Sequence, residues 1–254
     1  MEQDNSAYGQ VGFNLPHDIV ALPSSGVFYK SKKKSVKVGY LTAADENILM
    51  SAKSNNKEGI ILSLLRSKLY EPDLKPEELL MGDVEAILLF LRNTAFGPEY
   101  NFNLLDPKTD KKFEYTLLLD ELNFKKTEQQ PSEEGTFTLK LPKSNSVVKI
   151  KPLSLGESIE LEKLADNYPV NLVAPKITWK LNKQILEVDG TTDRNSIAKF
   201  VENLPILDSK TIRNFLNDNE PSLELSRDIL APSGEKVTIG VSFGVEFFRP
   251  FFWV

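Results

Sequence analysis

Cysteine is absent from all 254 residues, and histidine occurs once, at His17. Without thiols the chain has no disulfide framework, no zinc–thiolate knuckle and no cysteine nucleophile. The absence also suits assembly in a reducing compartment. A lone histidine without a partner motif reads as a solvated loop residue before it reads as a general base. Long apolar runs are missing too. The tightest are "AILLFL" and the aromatic C-terminal stretch, far short of the roughly 20 residues that a membrane helix needs. The opening "MEQDNSAYGQVGFNLPHDIV" lacks the charged-then-apolar order of an export signal, so an intracellular protein is expected. Net basic charge is lacking as well, since 31 Lys and Arg against 36 Asp and Glu give −5. Nucleic-acid binders normally carry a basic face, because phosphate contacts dominate their affinity. The one dense basic run is Lys30, Lys32, Lys33, Lys34 and Lys37, and it reads as a solvated loop. Neither nucleic acid nor membrane is an expected partner.

Catalytic motifs are equally scarce. No Gly-x-Ser-x-Gly elbow, Walker A loop or Gly-x-Gly-x-x-Gly turn occurs. Gly240 and Gly244 lie in a strand pattern with no helix pattern after them, which suits bulges or close packing. Carboxylate pairs such as Asp45/Glu46, Glu77/Glu78 and Glu133/Glu134 fall at helix starts or in polar loops, where they complement dipoles or meet water. "EVDGTTD" at 187–193 lacks the alternating ligands of a calcium loop and reads as a helix end with a glycine cap. No catalytic, cofactor or metal residue is nominated, and no enzyme activity is expected. A carboxylate-dependent hydrolase is an alternative for which the sequence singles out no residue.

Apolar periodicity is present and sets the fold expectation. Residues 1–35 read as an extended N-terminal arm. They are punctuated by Gly9, Gly12, Pro16, Pro23 and Gly26, yet carry enough apolar residues to dock on a surface, the chain's own or a partner's. A domain at 36–153 opens with the strand "VKVGY". Helices follow after Thr42, through "EGIILSLLRSKLY", at Pro76, and from Asp83 to Gly97 with Val84, Ile87, Leu88 and Leu91 on one face. Two hairpins come next, "EYNFNLLD"/"KFEYTLLLD" and "TFTLKLP"/"VVKIKPL". Residues 154–219 keep the helical period, including Ile177, Leu181, Ile185 and Val188, and Asp208 is placed as the cap of a last helix. Residues 220–254 return to alternation in a C-terminal hairpin around "APSGE", packed on the 36–153 sheet. Clustered strands and clustered helices define an α+β protein. Its antiparallel hairpins are expected to join in one sheet beside two groups of helices.

The unusual material lies at the C-terminus. Phe243, Phe247, Phe248, Phe251, Phe252 and Trp253 fall within the last twelve residues. Large apolar clusters at a surface mark binding sites, and aromatics and arginine concentrate at interface centres. Pro250 interrupts strand pairing. Phe243 to Phe248 are therefore divided between core and contact, and the residues beyond the proline favour a partner. Phe28, Tyr29, Phe248, Arg249, Phe251, Phe252 and Trp253 are the candidate partner-binding residues. Membrane insertion is the weakest reading of so short a stretch beside Glu246.

Two blocks carry a family resemblance. "LPSSGVFYKSKKKSVKVGYLTAADENIL" has Leu22, Pro23, Ser24, Gly26, Phe28, Tyr29, Leu41, Thr42, Ala43, Asp45 and Glu46. "LLMGDVEAILLFLRNTAFGPEY" has Leu80, Gly82, Asp83, Leu89, Arg92, Gly97 and Tyr100. With the closing "EFFRPFFWV", they resemble the baseplate hub subunits and hub assembly factors of T-even-like contractile phages. The likeness covers 22–122 well, 220–254 moderately, and the helical middle in order alone. It implies a non-enzymatic, chaperone-like role in building the baseplate hub in the host cytoplasm, through contacts with other hub or tape-measure proteins. The alternative it implies is a permanent hub subunit of the virion. Self-association is left open. Some relatives carry Cys-Pro-x-Cys-Gly in the hairpin turns, suggestive of a zinc knuckle. Here "DPKTD" at 106–110 and "APSG" at 231–234 stand in those places, so the turns are expected to do that job without metal.

Overall fold

A computed structural model of the chain describes residues 16–50, 57–243 and 245–248. Strand β1 (His17–Ala21) pairs antiparallel with β2 (Ser35–Gly39), and helices α1 (Ala43–Met50) and α2 (Lys57–Lys68) follow. A 3-10 turn at Pro76–Glu78 leads into α3 (Met81–Phe96). The first long hairpin is β3 (Glu99–Leu105) with β4 (Lys112–Leu118). Next come β5 (Phe137–Lys140) and β6 (Val147–Ile150), then α4 (Leu155–Asp166), α5 (Lys176–Gln184) and β7 (Ile185–Val188). Helices α6 (Arg194–Glu202) and α7 (Ile206–Asn219), hairpin β8 (Ser226–Leu230)–β9 (Lys236–Gly240) and a helical turn α8 (Val245–Phe248) complete the order. The class is α+β, as expected.

The hairpins do not join in one sheet. The described strands form separate antiparallel sheets: β1–β2, β3–β4, β5–β6–β7 and β8–β9. Each strand is short. Two cores result. The first gathers Val36, Val38, Leu64, Leu65, Leu79, Ile87, Leu91, Leu117 and Leu119, together with Leu155, Ile159, Phe247 and Phe248. The second gathers Phe137, Val148, Ile150, Leu181, Ile185, Ile197, Ile212 and Leu216. The β5–β6 hairpin, grouped with β3–β4 from the sequence, therefore sits on the helical module's core. Phe28 packs against both cores, and α4 contributes Leu155 and Ile159 to the first.

Other local differences have plain causes. The helical period through Ile185 and Val188 breaks at Gln184, because β6 offers 185–188 an edge to pair with. "EVDGTTD" is then a tight turn, with Asp189 and Gly190 at positive φ of 48° and 84°, and not a helix end. Asp208 is not an N-cap. It lies in the first turn of α7, and its carboxylate accepts from the backbone N–H groups of Lys143 and Ser144, each at 2.8 Å. It therefore ties the β5–β6 turn to α7. The C-terminal alternation ends as strand at Gly240, and Val245–Phe248 turn helically and deliver Phe247 and Phe248 to the core. The described part of the arm is likewise incorporated: β1 is half of a sheet, and residues 22–32 form consecutive turns on α3.

Candidate interaction surfaces

The residues of the two signature blocks meet. Asp83 is fully buried in the first turn of α3. Its carboxylate accepts from the Ser24 backbone N–H at 2.9 Å, the Ser24 hydroxyl at 2.5 Å and the Tyr29 hydroxyl. The Tyr29 oxygen in turn accepts from the Leu80 N–H at 2.9 Å, satisfying a donor at the helix start. Burial pushes the Asp83 carboxyl up, and the Ser24 and Tyr29 bonds oppose that. Burial and the facing Asp83 charge push the Tyr29 phenol up. Gly82 is required by contact, since a Cβ there would lie 1.9 Å from the Pro221 carbonyl oxygen. Gly26 has φ of 73° and backs onto Lys33. Asp45, the acid of "TAADE", pairs with Lys68 in the interior and accepts from the Thr42 N–H at 2.7 Å. Arg92, also fully buried, donates to the Gly97 and Glu99 carbonyls and fixes the step from α3 into β3. The basic run is drawn inward in part, with Lys33 bridging Glu71 and Asp73.

The two hairpin turns also meet. Asp106 accepts from the Ser233 N–H at 2.9 Å and its hydroxyl at 2.7 Å, while capping its own turn through the Lys108 and Thr109 N–H groups. Burial would raise this carboxyl, but the Ser233 and backbone donors outweigh burial and hold it below the usual range. One carboxylate and one serine thus clasp "DPKTD" to "APSG".

Of the sequence-nominated contact residues, Tyr29 and Phe248 are taken up by the interior, at 4% and 1% exposure, and present no surface to a partner. The sequence could not separate them from a contact patch, because an aromatic that fills a core and one that anchors an interface look alike in composition. Phe28 is half-buried between the cores. Arg249, Phe251, Phe252 and Trp253 lie outside the described residues. His17 opens β1 and meets Tyr70 edge to face at 6.0 Å.

A pair of acids and one surface went unnoticed in the sequence. Glu85 and Glu220 line a cavity of about 310 Å³ with Lys125, Lys180, Ser158 and Ser222. Burial pushes Glu85 up to about 7, offset slightly by the Leu223 N–H. Burial, then the Glu85 charge, pushes Glu220 to about 7 despite Lys125 and Lys180. The pair can hold a proton near neutrality. The surface is the loop between α4 and α5 with the first turn of α5, where Val170, Leu172, Val173 and Ile177 are exposed. Of these only Ile177 has a place in the helical period read from the sequence; Val170, Leu172 and Val173, between Pro169 and Pro175, belong to none.

The signature polar groups hold the chain's own segments together, as the parts of a structural protein do. The chain matches the family model described as T4 bacteriophage base plate protein over residues 25–249, and it belongs to that family. It is a phage tail baseplate protein, and the family supports a structural role in the baseplate. No curated protein and no solved structure matches the chain. No described helix is long and apolar enough to cross a membrane.

Proposed function

We propose that this baseplate protein is a non-enzymatic, chaperone-like assembly factor of the hub, acting in the host cytoplasm by docking to other hub or tape-measure proteins. The observation that carries this reading is the run of uncovered aliphatic side chains at Val170, Leu172, Val173 and Ile177. Burying one such side chain contributes about 1.5–3 kcal/mol, and proteins of this kind expose apolar clusters chiefly where something binds. Arg249, Phe251, Phe252 and Trp253, which follow directly on the buried Phe248, supply a second contact in this proposal. Phe28 holds the two cores together. The family membership supports baseplate partners over unrelated ones.

Co-expression of the chain with each hub and tape-measure protein of the same phage, followed by affinity purification, tests the reading. A stoichiometric complex with at least one is expected; none with any would end it. The family description, a base plate protein, favours one second reading, that of a permanent subunit of the virion. Mass spectrometry of purified particles separates the two, since a subunit is present at fixed copy number and an assembly factor is absent.

A further inference from the structure

The α4–α5 loop and the first turn of α5 read "YPVNLVAPKITW", with Val170 104% and Val173 93% exposed. They are nonetheless organised. Leu172 N–H donates to the Pro169 carbonyl at 2.9 Å and Trp179 N–H to the Pro175 carbonyl at 3.1 Å. The prolines reduce the conformational freedom that docking would otherwise remove. A cavity of about 430 Å³ is lined by residues of α4, α5, β7 and α6. Leu161, Leu164, Trp179 and Leu186 form its apolar wall, and Tyr168 packs edge to face on Trp179 at 5.5 Å, linking loop and cavity.

Three cations line the same cavity, and they are not equivalent. Lys151 is engaged by Glu157 at 2.6 Å and Lys183 by Glu160 at 2.8 Å. Arg194 Nη1 donates to the Ile185 carbonyl at 2.8 Å and forms no ion pair among the described residues. The same Nη1 also reaches the Asn182 carbonyl at 3.3 Å. Asn182 Oδ1, at the same cavity, is buried without a hydrogen-bond donor among the described residues. An exposed arginine without an acid partner among the described residues, set beside an apolar wall, gives this face charge complementarity to an acidic, apolar segment.

We propose that this face docks a segment of another baseplate protein in which an acidic side chain flanked by aliphatic or aromatic residues pairs with Arg194, while its neighbours fill the wall at Leu164 and Trp179. The proposal rests on the docking function above and adds the place and the chemistry.

The test uses short overlapping peptides spanning the baseplate proteins encoded with this chain, probed with the labelled full chain and its variants. The expected result is binding to peptides with Asp or Glu beside Leu, Ile, Val or Phe. Arg194→Glu and Val173→Asp should each weaken that binding by at least about tenfold. Ile206→Asp, a change at another exposed aliphatic outside this face, should leave it unchanged. A circular-dichroism melt like that of the parent chain qualifies each variant as folded. A silent array, binding to peptides without an acid, or equal binding by Arg194→Glu and Val173→Asp overturns the proposal. So does a concentration-dependent dimer that Val173→Asp dissociates, which would make a second copy the occupant. If baseplate proteins still co-purify with the Arg194→Glu and Val173→Asp chains, this inference fails while the docking function stands. If none co-purifies with the unaltered chain, the docking function itself has failed.

Discussion

Replacing Glu220 with Gln should stabilise the protein at alkaline pH and leave it unchanged in acid. In the folded chain, burial and the neighbouring Glu85 charge raise the Glu220 carboxyl from 4.5 to about 7. The folded state therefore binds more protons than the unfolded state between those values, so stability falls as pH rises through the window. Below about pH 4.5 the group is neutral in both states and has no effect; above about pH 7 the full penalty is present. At about 1.4 kcal/mol per pKa unit the penalty is about 3.5 kcal/mol at about pH 8, part of it shared with Glu85. Glutamine keeps the shape and removes the charge. The expected gain is about 2–3 kcal/mol, which in a chain of this size raises the melting temperature by roughly 5–10 °C. Urea unfolding followed by circular dichroism at about pH 8 and about pH 4 measures it. No gain at the higher pH, or an equal gain at both, would refute the reasoning.

Asp83→Ala should cost about 3 kcal/mol or more in the same assay, because the Ser24 N–H and two hydroxyls lose their acceptor in the interior. Gly82→Ala should destabilise by at least about 1–3 kcal/mol, since the new methyl meets the Pro221 backbone and not a movable side chain. Phe247→Ala should cost about 3–5 kcal/mol, as expected for a fully buried aromatic. Removal of residues 249–254 should instead leave the circular-dichroism spectrum nearly unchanged and abolish capture of any partner the tail holds; unfolding of the truncated chain would assign the tail to the core.

Helix and hairpin positions were largely legible, because periods of 3.6 and 2 record which face is buried. The signature blocks were legible as motifs but not as contacts. Nothing in the spacing of Ser24, Tyr29 and Asp83 says that they share one buried carboxylate, since the meeting depends on how the turns at 22–32 fold over α3. Two failures share a cause. Residues 185–188 looked helical, and Phe243 to Phe248 looked like strand, because short apolar stretches suit either conformation until a partner decides. For 185–188 the decision came from the β6 edge, and for Phe247 and Phe248 it came from the first core. The hairpins looked joinable because alternation shows a buried face without naming what buries it. The exposed loop at 169–175 and the start of α5 escaped for the opposite reason. Apolar residues are read as core by default, and only the three-dimensional arrangement shows Val170 and Val173 facing water. Glu85 and Glu220, 135 residues apart in "GDVEA" and "NDNEP", had no pattern in common to betray them.

The central claim is that the chain works through surfaces and not through chemistry. In vitro hub assembly, with extracts of a phage from which this coding sequence has been deleted, tests it most directly. Added back, the unaltered chain and the Glu85→Gln/Glu220→Gln double variant should both restore hub formation, whereas a Val170→Asp/Val173→Asp variant of unchanged fold should not. Loss of assembly with the glutamine variant, together with full assembly by the aspartate variant, would contradict the account.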